Sequence, residues 1–187
     1  MTRRRLLTPI LLGLAAVVPL VGCQEAGIRP PGIAEAADTA DQVLFGLKHN
    51  VLQQGIRRSF VEADTAFIYE PTQTAELRNL TVTFYNDEGG ISSVLTAREG
   101  TYNMQSGAMT ARQNVVATAS DGRVLRTSVL HYDPATQKIR TDAHFTVDKG
   151  GDHGEGDGFT SDPDFKNAVI SRPRGAEGAP QLLPGQN

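Results

Sequence analysis

The sequence predicts an all-β domain, and three observations carry that expectation. Between residues 41 and 171, Val, Thr, Tyr, Phe and Ile recur in short runs bounded by turn sequences, of which Asn86-Asp87-Glu88-Gly89-Gly90, Asp121-Gly122, Asp133-Pro134 and Lys149-Gly150-Gly151 are the clearest. Within the runs apolar and polar residues alternate, as they do on a half-buried strand. A weak repeat spaced roughly 30 residues apart aligns 62–68, 96–102, 126–132 and 155–161 without gaps. In each copy a small residue (Ala63, Ala97, Thr127, Gly156) precedes a new run, where it allows a strand to bend or bulge.

The elements follow in order. Arg3-Arg4-Arg5 and the apolar stretch 6–21 have the layout of a secretory signal. Pro9 and Pro19 interrupt the stretch, which argues against a spanning helix of about 20 unbroken apolar residues. Leu20-Val21-Gly22-Cys23 resembles the lipobox of bacterial lipoproteins, so residues 1–22 read as a signal peptide and Cys23 as the lipidated N-terminus of an exported, membrane-anchored chain. Residues 23–40 read as a flexible spacer rich in Ala, Pro, Gly and charge. Residues 41–171 form the domain, and the Pro/Gly-rich 172–187 read as a disordered tail. Within the domain, 40–53 is ambiguous: Val43, Leu44, Leu47 and Val51 recur at helical spacing, while Gly46 and Gly55 weaken a helix, leaving a first strand open. Leu80, Val82 and Phe84 then share one face against Asn79, Thr81, Thr83 and Tyr85. Met109, Ala111, Val115 and Ala117 repeat the pattern, as do Ala143, Phe145 and Val147. Asp121-Gly122 suits a two-residue hairpin whose central residues both need positive φ.

Composition excludes several function classes. After cleavage, 15 basic residues face 21 acidic ones, a charge of −6 that does not seek nucleic acid. Cys23 is the single cysteine, so once lipidated it leaves no thiol for disulfides or thiolate metal sites. No nucleophile elbow, phosphate loop or dinucleotide fingerprint occurs, and the reading is of a protein that is not an enzyme and carries no cofactor. His49, His131, His144 and His153 are scattered without metal-ligand spacing. The acids around Asp152, Glu155, Asp157, Asp162 and Asp164 fail the calcium-loop register because Gly154 and Gly156 occupy ligand positions; they read as a solvated turn.

The run Leu95-Thr96-Ala97-Arg98-Glu99-Gly100-Thr101-Tyr102, then Met109 with Asn114-Val115-Val116, Asp121 to Thr127, Leu130-His131-Tyr132-Asp133 and Gly156 to Asp162 together resemble the LptC family of the lipopolysaccharide export machine. The resemblance covers roughly residues 60–165. It implies a folded-over, open-ended β-jellyroll, or β-taco, whose walls enclose an apolar groove for lipopolysaccharide acyl chains, and whose end strands pair with neighbouring domains of the inner-membrane transporter and the periplasmic bridge. Members of that family keep an uncleaved inner-membrane helix, where this chain has a lipid-anchor signal. Gln24 after the cysteine resembles outer-membrane sorting, so the membrane that holds the anchor stays open.

The predicted inward set is Leu80, Val82, Phe84, Leu95, Tyr102, Met109, Val115, Leu125, Leu130, Tyr132, Ile139, Phe145, Val147 and Phe159. On periodicity alone these residues fill a closed β-core equally well, which leaves a structural or adaptor lipoprotein, docking partners by a sheet edge, as the alternative.

Overall fold

The computed structural model describes residues 39–174; the signal segment, Cys23, nearly all of the spacer and the end of the tail lie outside them. Nine strands follow one another: β1 (Gln42–Gln53), β2 (Ile56–Tyr69), β3 (Thr74–Tyr85), β4 (Ile91–Asn103), β5 (Met109–Ala119), β6 (Val124–Asp133), β7 (Lys138–Lys149), β8 (Asp152–Ser161) and β9 (Val169–Arg174). Each pairs antiparallel with the next, in one open sheet ordered β1 to β9 with β1 and β9 as its edges. The ambiguous segment is therefore a strand. β9 also runs three residues past the boundary expected at Ser171.

A crease crosses the middle of the strands. Pairing is interrupted at Gly46 opposite Asp64, at Asn79 opposite both Asp64 and Arg98, and then more widely. Gln113 and Asn114 face Ser128 alone, and Asp142 and Ala143 face Gly158 alone. An extra residue on one strand is a β-bulge, which bends the strand and increases its twist. The backbone agrees: Gly46, Asn79, Gln113, Asn114 and Gly158 have φ of 64°, 49°, 62°, 54° and 81°. Three of the repeat's small residues stand immediately before this line, at Ala63, Ala97 and Thr127, and Gly156 stands two residues before Gly158.

On β3 and β6 the crease also switches the parity of the inward residues, whereas on β5 and β7 the two-residue bulge leaves it unchanged. β3 buries Ala75 and Leu77, then Leu80, Val82 and Phe84; β6 buries Leu125, then Leu130 and Tyr132. An odd step at the bend lets both halves of a strand face the same interior, since the side-chain period is two. The sheet thus becomes two walls. Wall A carries the half-strands that end in the β1–β2, β3–β4, β5–β6 and β7–β8 turns, and wall B those that end in the other four. Phe84 of wall A meets Tyr132 of wall B with ring centroids 5.0 Å apart.

The hairpins depart from expectation in one place. Gly122 alone has positive φ at the β5–β6 turn, and Gly122 N–H bonds to the Ala119 carbonyl at 3.0 Å while Ala119 N–H bonds to that of Arg123. This is a three-residue loop closed by a left-handed glycine. The two-residue loops with both φ positive are instead Gln54-Gly55, at 53° and 80°, joining β1 to β2, and Gly150-Gly151, at 59° and 117°, joining β7 to β8.

Gly156 has a reason of its own. A Cβ there would stand 2.7 Å from the Arg172 carbonyl oxygen of β9 and 3.2 Å from the Phe145 ring. Gly156→Ala is expected to push β9 off the sheet, costing about 1–3 kcal/mol. Hydrogen exchange should show faster exchange in β9 amides, while β3–β5 amides keep their protection.

Candidate functional site

The fourteen residues of the inward set all lie between the walls, with exposures from 0% to 9%, and belong to one apolar cluster. Wall A supplies Leu80, Val82, Phe84, Leu95, Val115, Leu125, Phe145 and Val147. Wall B supplies Tyr102, Met109, Leu130, Tyr132, Ile139 and Phe159. The walls meet through their own side chains: the Phe145 and Phe159 rings meet at a tilt of 53° with centroids 5.3 Å apart, besides the Phe84–Tyr132 contact.

Opposite the crease, the turns of the two walls form a mouth. Near β1 it is held by neutral amides, Gln53 donating to the Pro134 carbonyl and Gln137 to the Gln53 side chain, both at 3.3 Å. Beside these contacts lies a recess of about 420 Å³ between the β1–β2 hairpin and the β4–β5 and β6–β7 turns, lined by His49, Leu52, Arg58, Tyr102, Met104 and Tyr132 among others. The His49 ring is 5.6 Å from that of Tyr102. Burial pushes both tyrosine hydroxyls above their ordinary pKa. Leu52 is 62% exposed and Met104 42%, an apolar rim. Arg58 reaches this recess from wall A and also lines a second, more polar one of about 350 Å³. Its Nη1 pairs with Asp87, while its Nε is buried without a hydrogen-bond partner.

Toward β9 the mouth is closed differently. Arg123, 4% exposed, donates from Nη1 to the Phe165 carbonyl at 2.6 Å and from Nη2 to that of Asp164 at 3.2 Å, with Nε 2.8 Å from the Asp121 carboxylate. It clamps the β8–β9 loop of wall B onto wall A. Phe165 is fully buried at φ 62°, edge-on to Phe159 at 5.9 Å. Asp162 organises that loop by accepting the N–H groups of Lys166 at 2.9 Å and Asn167 at 3.2 Å.

Arg58, Arg123 and Phe165 carry no signal in the sequence pattern. Arg123 stands inside the Asp121 to Thr127 run, but nothing in that run reveals a buried guanidinium. Phe165 is hidden among acids that read as a solvated turn. The histidines are dispersed: His131 meets Thr110 at 3.0 Å, His153 meets Asp148 at 2.7 Å, and His144 lies 3.6 Å from Asp157. Among the described residues no group of three or more His, Cys, Asp or Glu is placed to hold a metal.

A bent, apolar-lined sheet of this order meets an independent finding. A family model described as LptC, lipopolysaccharide-assembly, LptC-related, matches residues 10–172. The chain belongs to the LptC family. Membership gives it a role in lipopolysaccharide transport, in a periplasmic family associated with the inner membrane. A search of curated proteins finds no match. The LptC match begins inside the apolar stretch and ends within β9, so the family pattern extends beyond the residues that carried the resemblance.

The loop around Asp162 yields a pH prediction. Burial alone would raise its carboxyl, but a proton shared with the Asp164 carboxyl and hydrogen bonds donated by Asn167 and Ser161 outweigh it and bring the carboxyl to about 2. A carboxyl depressed on folding contributes fully above its unfolded value of about 3.9, and the contribution is lost as pH falls through about 2. Asp162→Asn should therefore lower the urea midpoint near pH 7 and flatten its dependence on pH between about 4 and 2, the difference from the native protein closing as pH approaches about 2. An unaltered acid limb would show that Asp162 does not hold the loop.

Proposed function

We propose that this LptC-family chain shelters lipopolysaccharide acyl chains between its two walls and passes them to an adjacent β-jellyroll domain by pairing along a sheet edge. The observation that carries the reading is the crease. By bending every long strand along one line, it makes the inward residues of β2 to β8 a continuous apolar strip with open ends at β1 and β9. An amphiphile gains about 0.8 kcal/mol for each methylene so sheltered. Leu44 and Phe45, 40% and 74% exposed on edge strand β1, support docking, since an exposed apolar edge is otherwise an aggregation hazard. A photo-activated residue at Tyr102 or Phe145 should capture lipopolysaccharide in cells. Persistent absence of an adduct at both would remove the groove.

One observation favours the adaptor reading: the inward set is buried in a filled core. On that reading Phe84→Ala costs about 3–5 kcal/mol of stability and Val115→Ala less, with no change in lipid capture. On the transport reading the same variants alter capture as well, which photo-crosslinking at Phe145 measures directly.

The anchor is proposed on Cys23. Its lipid would hold the domain at a membrane by the 23–40 spacer, in place of the family's retained helix. Cys23→Ser should then leave a chain that still carries residues 1–22, read as an increase in mass over the processed form; equal masses would exclude lipoprotein processing.

A further inference from the structure

Arg58 does not fit either simple account of a surface or a core residue. It sits on β2 with its side chain 19% exposed, held by one carboxylate, Asp87, which is itself 75% exposed on the β3–β4 turn. Its Nε is buried with no partner, an arrangement that wastes a strong donor unless something else occupies it. The recess it lines toward β1 contains no Asp or Glu among its walls, whereas the neighbouring recess on its other side carries Asp87, Glu88, Asp162 and Asp164 against Lys166 as its one further cation. An anion is therefore favoured on the β1 side of Arg58 and repelled on the other. The same recess is rimmed by exposed Leu52 and Met104 and lined by Tyr102 and Tyr132, both part of the buried apolar cluster.

We propose that this recess is a head-group subsite: Arg58 takes a phosphate of an acylated saccharolipid, displacing Asp87, while an acyl chain runs past Tyr102 and Tyr132 into the interior. This rests on the proposed sheltering of lipopolysaccharide and adds where the charged end sits. A guanidinium suits the task because its planar donors match phosphate oxygens two at a time, and the partial burial here protects that bond from water. The neutral amide contacts of Gln53 with Pro134 and Gln137 are the part of the mouth that must part, since the opposite end is fixed by buried Arg123. Asp87 acts as a placeholder that keeps Arg58 neutralised when no lipid is bound.

The test compares binding of purified lipid A, with and without its phosphates, to the folded protein and two variants. Arg58→Gln should weaken capture of the phosphorylated lipid by about tenfold or more and leave the dephosphorylated lipid within about twofold. Asp87→Asn should strengthen capture of the phosphorylated lipid severalfold, because it frees the guanidinium. Equal losses on both lipids for Arg58→Gln, or no loss, would overturn the subsite. If Arg58→Gln lowers the unfolding midpoint, the exposed Asp87→Asn decides alone, and unchanged or weaker binding there overturns the proposal. Phosphatidylglycerol nanodiscs form the third arm: an equal dependence on Arg58 would overturn the assignment to a saccharolipid. A crosslink at Phe145 separates the two levels of inference. Where it persists without any effect at Arg58 or Asp87, only the subsite fails; where the native protein shows neither crosslink nor binding, the sheltering of lipid fails with it.

Discussion

The fold depends on keeping the inward faces of long strands in phase across a bend. A strand of 12 to 14 residues such as β2 or β3 is too long to stay flat against one compact core, and a plain bend would leave half of its apolar residues in water. The crease solves both problems at once: a single residue at the bend shifts the parity of the half-strand beyond it on β3 and β6, and the two-residue bulges of β5 and β7 turn the chain while keeping parity. Left-handed conformations at Asn79, Gln113 and Asn114, none of them glycine, show that the surrounding pairing holds the line despite its local cost.

That constraint explains how much of the structure was legible in the sequence. Alternation within each half-strand is preserved, so Leu80, Val82 and Phe84, or Phe145 and Val147, reveal their face directly. Alternation across the bend is broken on β3 and β6, where no period-two reading joins Leu77 to Leu80 or Leu125 to Leu130, but it survives on β5 and β7, where Ala111 and Val115, or Ile139 and Phe145, keep one parity. The repeat of small residues marks where the change occurs without disclosing the bulges. Strand β1 is ambiguous in sequence because it is an edge: only Leu47 and Val51 pack on the core, and their spacing of four matches a helix as well as a strand with alternate positions exposed. Part of β9 reads as tail because Ser-Arg-Pro-Arg carries no apolar signal, and Pro173 is compatible with an edge strand whose outer side is free. Long-range polar contacts such as Arg123 with the Phe165 carbonyl, 42 residues apart, have no local pattern to encode them and cannot be read at all.

The mouth is where stability and function meet. A sheet folded on itself could be sealed by apolar contacts alone, yet these two lips are joined largely by hydrogen bonds of unequal strength. Hydrogen bonds to a buried guanidinium contribute more than those between neutral amides, and breaking the former strands a charge. The Arg123 end therefore resists separation, and the Gln53 end gives way first. A chain with one firm and one yielding lip can widen by rotation about the firm end while the crease keeps its pairing.

Such an opening has a favourable balance only when something apolar enters. Parting the walls in water exposes Tyr102, Tyr132, Phe84 and their neighbours at about 25 cal/mol for each Å² of apolar surface, so without a ligand the filled core is the favoured state. An acyl chain restores the lost contacts as it replaces them, so the cost of opening falls on the polar contacts at the mouth. The burial of the whole inward set is thus compatible with the proposed carriage of lipid, in which a core that closes on itself when empty would keep an otherwise aggregation-prone strip out of water between cargoes.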